Sequence, residues 1–382
     1  MNKKYIKRLS ALVLISIITV GYVLVMQILA ANHGDPDYRT LKYFYHEAPQ
    51  SLDVVFMGSS EITYGYSAAE AYREAGFTSY PFAFTINPVL LWKYELEEIE
   101  KLQHPKVLLI ETNGALYEED KYLETPNCVN MLTESMPMSV TRIRAAFENS
   151  DHPLERLVPF IKYHYKWPEA VGEPGKTNMM MWRQGHAKLR GAYSMLYRVK
   201  LDTTDLRPYD DVCAPLNAKA EAALTDFLEQ CKASEIEHIV FVEYPHILND
   251  DETYERHQRA KTAEKMIREA GFDYIDLSSD IKSEGLDIKK DFFDADHLVA
   301  PGQRKISRYL ARLVKDKYLD ETIEQSEANR QSWDESADLI ERFYILYDQY
   351  ISKHSDDPYE KVYTILLENR QIMDELAEIN PE

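Results

Sequence analysis

The sequence predicts an α/β fold built on a parallel sheet buried on both faces. Three observations carry that expectation. Continuous apolar runs at 54–57, 106–111 and 238–243 have the character of strands covered on two sides, not the alternation of a half-exposed strand. Segments with helical spacing, bounded by cap residues and glycines, follow these runs. The strand–helix repetition itself implies parallel pairing, with ligand sites at the carboxyl ends of the strands.

Residues 1–8 carry Lys3, Lys4, Lys7 and Arg8, and the uncharged stretch 9–31 that follows is long enough to cross a bilayer core. Basic residues before it and Asp35 and Asp37 after it predict a cytoplasmic N-terminus and an exported remainder. A cleaved signal peptide is disfavoured. The run exceeds an ordinary signal core, and cleavage after Ala30 or Ala31 would put Ile28 or Leu29 where a small residue is wanted. The expectation is a single-pass anchor in the cell membrane, with residues 32–50 as a polar stalk leading into an α/β domain over 51–318.

Within that domain, 54–57 reads as the first core strand. Ser67-Ala68-Ala69-Glu70 reads as a capping box opening a helix that stops at Gly76. A short strand near 81–84 leads to Asn87-Pro88, a cap followed by proline in the first helical position, and a helix through Trp92, Leu96 and Ile99. The strand at 106–111 follows. Alternation then breaks over about 115–210, a segment rich in Met, Tyr, Trp and proline that includes Tyr163-His164-Tyr165-Lys166-Trp167 and Met179-Met180-Met181-Trp182. A structureless loop of that length does not suit a compact domain, so a helical insert is expected. Its apolar residues could face substrate, membrane or a partner, or pack onto the sheet domain.

Alternation resumes with a helix from Asn217 to Ala233, the strand at 238–243, a helix over 253–270 and a strand at 272–277. After Asp294-Ala295-Asp296-His297 comes an amphipathic helix through Ile306, Leu310 and Leu313. Residues 319–382 turn strongly acidic, with helical spacing at Leu339, Phe343, Leu346 and Tyr350 and again at Val362, Ile365, Leu366 and Ile372. This extension is expected to form a helical hairpin, packed on the domain or used to bind a partner.

Bulk properties exclude several function classes. Lys and Arg number 44 against 64 Asp and Glu, a net charge of −20 over 382 residues, so no nucleic-acid partner is expected. No Cys-x-x-Cys, His-Glu-x-x-His or Walker-type loop occurs and the histidines are scattered, so neither a metal nor a cofactor is predicted. Cys128, Cys213 and Cys231 cannot all pair with one another. One disulfide remains open, and buried or unpaired thiols are the preferred reading.

The candidate chemistry lies at two distant points. Gly58-Ser59-Ser60-Glu61 ends the first strand, where a serine hydroxyl can be held at the sheet edge. A serine becomes a nucleophile when a base takes its proton, and imidazole oriented by a carboxylate is suited to that near neutral pH. Asp294 and His297 supply such a pair on a loop just before the last helix of the domain.

With these two blocks in those places, the chain resembles the SGNH (GDSL-like) hydrolase superfamily over about residues 50–315. The Gly-Ser-Ser-Glu form, the anchor and the Tyr-His-Tyr-Lys-Trp stretch are similar to its membrane-tethered, DltD-type branch, whose members accompany membrane-bound O-acyltransferases. The resemblance implies a flavodoxin-like three-layer α/β/α sandwich with a parallel sheet. It implies Ser60 as nucleophile, His297 as base and Asp294 as the orienting carboxylate, with Ser59 and Asp296 as second choices. The superfamily's second block places a glycine N–H in the oxyanion hole, whereas Phe82-Ala83-Phe84-Thr85-Ile86-Asn87 has no glycine. The third block, Gly-x-Asn-Asp in the superfamily, reads Glu111-Thr112-Asn113-Gly114 here, leaving the Asn113 amide and the Ser60 N–H as donors. The function implied is an extracytoplasmic serine acyl-transfer enzyme, an O-acyltransferase or esterase acting on an envelope polysaccharide or teichoic-acid-like polymer. The alternative is a non-catalytic scaffold partnering a membrane-bound O-acyltransferase.

Overall fold

A computed structural model describes residues 3–29, 35–166, 172, 187–199, 201–279, 281 and 284–354. The uncharged N-terminal run forms helix α1 (Lys3–Leu29). Its apolar span of 22 residues, Lys4–Val25, has no buried residue, and at 1.5 Å per residue it covers roughly 33 Å, enough to cross a bilayer core.

The segment expected to be a polar stalk is instead a buried helix, α2 (Pro36–Phe44), packed on the second strand of the sheet. Asp35 caps it by accepting from the Asp37 N–H at 2.9 Å, and Pro36 occupies the first turn. Leu41 and Phe44, one turn apart, are fully buried, and the Phe44 ring meets Phe82 edge-on at 4.7 Å. Charged neighbours at Asp37, Arg39 and Lys42 mask that two-residue apolar stripe in the sequence.

The first half of the sheet then follows. Strand β1 (Val54–Gly58) leads into a short helix, α3 (Ser60–Gly65), then α4 (Ala68–Ala75), β2 (Ser79–Ala83), α5 (Val89–Leu102) and β3 (Val107–Glu111). Ser67 caps α4 through the Glu70 N–H at 3.3 Å. The reciprocal half of the predicted capping box is not made, because the Glu70 carboxylate pairs with Arg73, Arg304 and Arg308. Gly76 ends α4 at φ 74°, the left-handed conformation that favours glycine. At α5, Pro88 holds the cap position, so the expected cap role of Asn87 is not realised. The Asn87 amide turns inward instead, toward the site described below.

The insert is helical where it is described: α6 (Asp120–Leu123), α7 (Pro126–Ser135), α8 (Val140–Glu148), α9 (Pro153–Leu157) and α10 (Pro159–Tyr163). The Met179–Trp182 stretch lies outside the described residues. The second half contributes α11 (Ala218–Ala233), β4 (His238–Glu243), α12 (Asp251–Glu269), β5 (Asp273–Asp276) and α13 (Ala300–Tyr318). All strands run parallel in the order β2-β1-β3-β4-β5. Every residue of β1, β2 and β3 is buried, which accounts for their unbroken apolar character. The chain leaves β1 toward β2 and returns on the other side as β3, so the carboxyl end of β1 is the switch point of the sheet.

The acidic extension begins with α14 (Glu327–Leu346), which packs on α4 with Trp333 fully buried. Arg190 pins it there. The buried guanidinium pairs with Glu47 at 2.7 Å, donates to Ser332 and Ser336, and lies 4.2 Å over the Trp333 ring. The second helix expected in this extension lies outside the described residues. All three cysteines are free thiols, Cys128 and Cys231 buried and Cys213 exposed.

Candidate active site

β1 ends at Gly58, where a side chain would collide with Ile62 and press on Glu111. Glycine lets α3 turn back sharply, so Ser59 caps the helix and Ser60 opens it. The Ser59 hydroxyl accepts from the Glu61 N–H at 3.3 Å and is buried, so it is held as a cap. Ser60 is half-buried, and its hydroxyl lies 2.9 Å from His297 Nε2. Its backbone N–H sits in the first helical turn, where no intrahelical acceptor exists.

Asp294 and His297 face one another within one tight loop. The Phe293 N–H closes the loop on the His297 carbonyl at 2.7 Å. Asp294 Oδ1 accepts from the Asp296 and His297 N–H groups at 2.9 and 2.8 Å, which fixes the carboxylate. Its two oxygens lie 2.9 and 3.0 Å from His297 Nδ1. With Nδ1–H donated to Asp294, Nε2 is left to accept the Ser60 proton. Burial alone would push the His297 pKa down, but the Asp294 hydrogen bond and charge outweigh it and raise the imidazole above its usual value. Tyr64 packs edge-on against the same ring at 6.1 Å.

Asp296 points elsewhere. It forms a two-pronged pair with Arg256, and although burial opposes ionisation that charge brings its pKa down to about 2. The geometry therefore joins Ser60, His297 and Asp294 and leaves Ser59 and Asp296 in supporting positions.

Beneath Ser60 lies a buried polar floor that sequence reasoning missed. Glu61 Oε2 is 2.8 Å from His246 Nε2, and Glu61 Oε1 accepts from the Asn113 amide at 2.7 Å. Glu111 accepts from the Ser59 and Asn113 N–H groups. The Asn113 side chain is thus anchored by Glu61 and makes no hydrogen bond to Ser60. Burial raises the pKa of Glu61 and lowers that of His246, so it opposes the charged form of each. The one available signal was position, since Glu111 ends β3 and His246 follows β4, both at carboxyl ends of strands.

Asn87 closes one wall. Its amide donates to the Gly58 carbonyl at 2.9 Å and to Glu95 at 3.1 Å. Ile86 and Asn87 both adopt positive φ, 71° and 39°, so the chain takes a left-handed path here without glycine. Gly114 packs directly on the Asn87 carbonyl, with no room for a side chain between them.

Burial raises the Glu95 carboxyl to about 8. The folded state therefore keeps a proton that the unfolded chain releases above its ordinary value near 4.5, and stability falls as pH rises between the two. Glu95→Gln should match the parent at pH 5 and be more stable at pH 8.5 by on the order of 1–3 kcal/mol. Urea unfolding at both pH values checks this, and parallel curves for the two proteins would refute it.

A cleft of about 630 Å³ lies between α5 and the insert, bordered by Leu91, Leu123, Val129, Phe147 and Arg156. None of Ser60, His297 and Asp294 lines it.

Neither a family model nor a curated protein matches the chain. Among solved structures, one described as a gut microbial diltiazem-metabolizing enzyme is similar at a TM-score of 0.36 and 8% identity. The match covers 70% of this chain and 47% of that one, so the chain spans about half the length of its structural neighbour.

Proposed function

We propose that the chain is an extracytoplasmic serine acyl-transfer enzyme of the SGNH type, held at the cell membrane by α1. Its substrates would be an acyl ester or thioester and an envelope polysaccharide or teichoic-acid-like polymer, with transfer to polymer or to water. The observation that carries this reading is the hydrogen-bond chain Ser60–His297–Asp294, closed between residues 237 apart in sequence. The sheet order and fully buried inner strands support a flavodoxin-like three-layer arrangement, and Lys3, Lys4, Lys7 and Arg8 before the span support a cytoplasmic N-terminus.

In the proposed reaction His297 takes the Ser60 proton as Oγ attacks the acyl carbonyl, and Asp294 stabilises the resulting imidazolium. The tetrahedral oxyanion is met by the Ser60 N–H. His297 then returns the proton to the departing alcohol or thiol, leaving an acyl-serine. An acceptor hydroxyl or water, deprotonated by His297, attacks the acyl-serine and frees Ser60.

A scaffold reading, with a membrane-bound O-acyltransferase as partner, is favoured by two observations: Glu61 holds the Asn113 amide, and no glycine lies between β2 and α5. A fluorophosphonate probe separates the two. Labelling lost in Ser60→Ala and kept in Ser59→Ala supports the enzyme, whereas an unlabelled parent that also turns over no ester supports the scaffold.

The pH profile offers a further check. His297 must be neutral to accept a proton, and its folded pKa lies above the ordinary 6.5. Ester turnover should therefore rise with pH through an apparent pKa above 6.5. A limb below that value would contradict His297 as the base.

A further inference from the structure

We propose that the outer face of α8, α9 and α10 rests on the lipid bilayer itself, so that the domain is held against the membrane surface along one side. The inference relies on the reading of α1 as a membrane anchor. Of the fourteen large apolar side chains exposed outside α1 among the described residues, eight fall between Met138 and Tyr165. They form a surface, not a scatter. Val140, Ile143 and Phe147 are spaced i, i+3 and i+7 on α8 and are 74%, 41% and 57% exposed. Leu154 on α9 and Phe160 and Ile161 on α10 continue the patch, and the three helices pack in sequence against one another.

What covers this face follows from where α1 meets it. α1 packs against α10, which packs on α9, which in turn packs on α8. A helix that enters the bilayer while still touching α10 brings lipid against the outer surface of α10 and of the helices packed beside it. Interfacial helices bury an apolar face about 5–10 Å into the boundary between headgroups and acyl chains. The chain's net charge of −20 offers no general attraction to anionic lipid, so apolar burial carries the contact and added salt should leave it in place.

The test uses the full chain with Cys213→Ser, reconstituted in phosphatidylcholine nanodiscs. Single cysteines at Ile17, Phe147, Phe160 and Lys265 carry an environment-sensitive fluorophore, and buried Cys128 and Cys231 stay unlabelled. Labels at 147 and 160 should shift to the blue and be quenched by lipids with a spin label near the headgroup, at low and high salt alike. The label at 265, an exposed position on α12, should do neither. Labels at 147 and 160 that behave like 265, while 17 is quenched by deep spin labels, would overturn the proposal and leave the anchor intact. Protection of 147 and 160 in native membranes but not in pure lipid would also overturn it, and would assign the face to an integral membrane protein. An unquenched label at 17 would overturn the anchor and the proposal together.

Discussion

Ser60→Ala is expected to lower ester turnover or polymer O-acylation by about 10⁴- to 10⁶-fold while the protein stays folded. The hydroxyl makes one hydrogen bond, to His297, and is half-buried, so its loss costs about 0.5–1.5 kcal/mol of stability at most. His297→Ala should be comparably inactive, and the double variant no worse than either single one, because members of a triad act as a unit. Asp294→Asn keeps the loop but removes the charge that orients the ring, with an expected loss of about 10⁴-fold. Ser59→Ala is the control. It removes a helix cap worth about 0.5–2 kcal/mol and leaves turnover near that of the parent. A folded Ser60→Ala protein with undiminished activity would end the proposed mechanism.

Arg190→Ala should destabilise the domain by about 3–5 kcal/mol, the largest stability effect expected of any single substitution described above. The side chain is 1% exposed and its partner Glu47 equally so, so truncation strands a buried carboxylate. It also removes the donors to Ser332 and Ser336 and the cation over Trp333. Burial already holds the Glu47 pKa above its ordinary value despite Arg190, so the stranded carboxyl will take up a proton. The penalty should therefore be greater at pH 8 than at pH 5. Hydrogen exchange should show α14 opening before the sheet. Denaturant unfolding with a loss below about 1 kcal/mol would show that the pair is incidental. Arg190→Met combined with Glu47→Gln should recover much of the loss, because no charge is then left alone.

The sheet was legible because strands buried on both faces are written as unbroken apolar runs, and 54–57, 106–111 and 238–243 lie within a residue or so of the observed strands. The His297–Asp294 pairing was legible because it is local, three residues within one turn. The choice of Ser60 over Ser59 took the resemblance, and the distances agree with it. Three things were hidden, each for a physical reason. α2 spans little more than two turns, so its apolar stripe at Leu41 and Phe44 is outnumbered by charges. Asn87 looked like a helix cap because its inward hydrogen bonds to Gly58 and Glu95 depend on a left-handed backbone that a sequence does not announce. The joining of Glu61, Glu111 and His246 was hidden because they come from three separate segments and no local pattern marks an acid that the fold will bury. The insert from 115 onward resisted reading because α6, α9 and α10 are one turn or little more, too short for a helical period to emerge.

On the proposed function, the two glycines at the base of the site limit where its specificity can be changed. Gly58 and Gly114 leave no volume beside Ile62, Glu111, Asn87 and Trp92, so that wall can neither widen nor narrow without displacing backbone. In the proposed reaction, a different acyl chain would have to be met elsewhere, where half-buried Tyr64 meets the His297 ring. A library aimed at altered substrate range belongs at Tyr64, with the glycines held fixed as the mould against which everything else is cast.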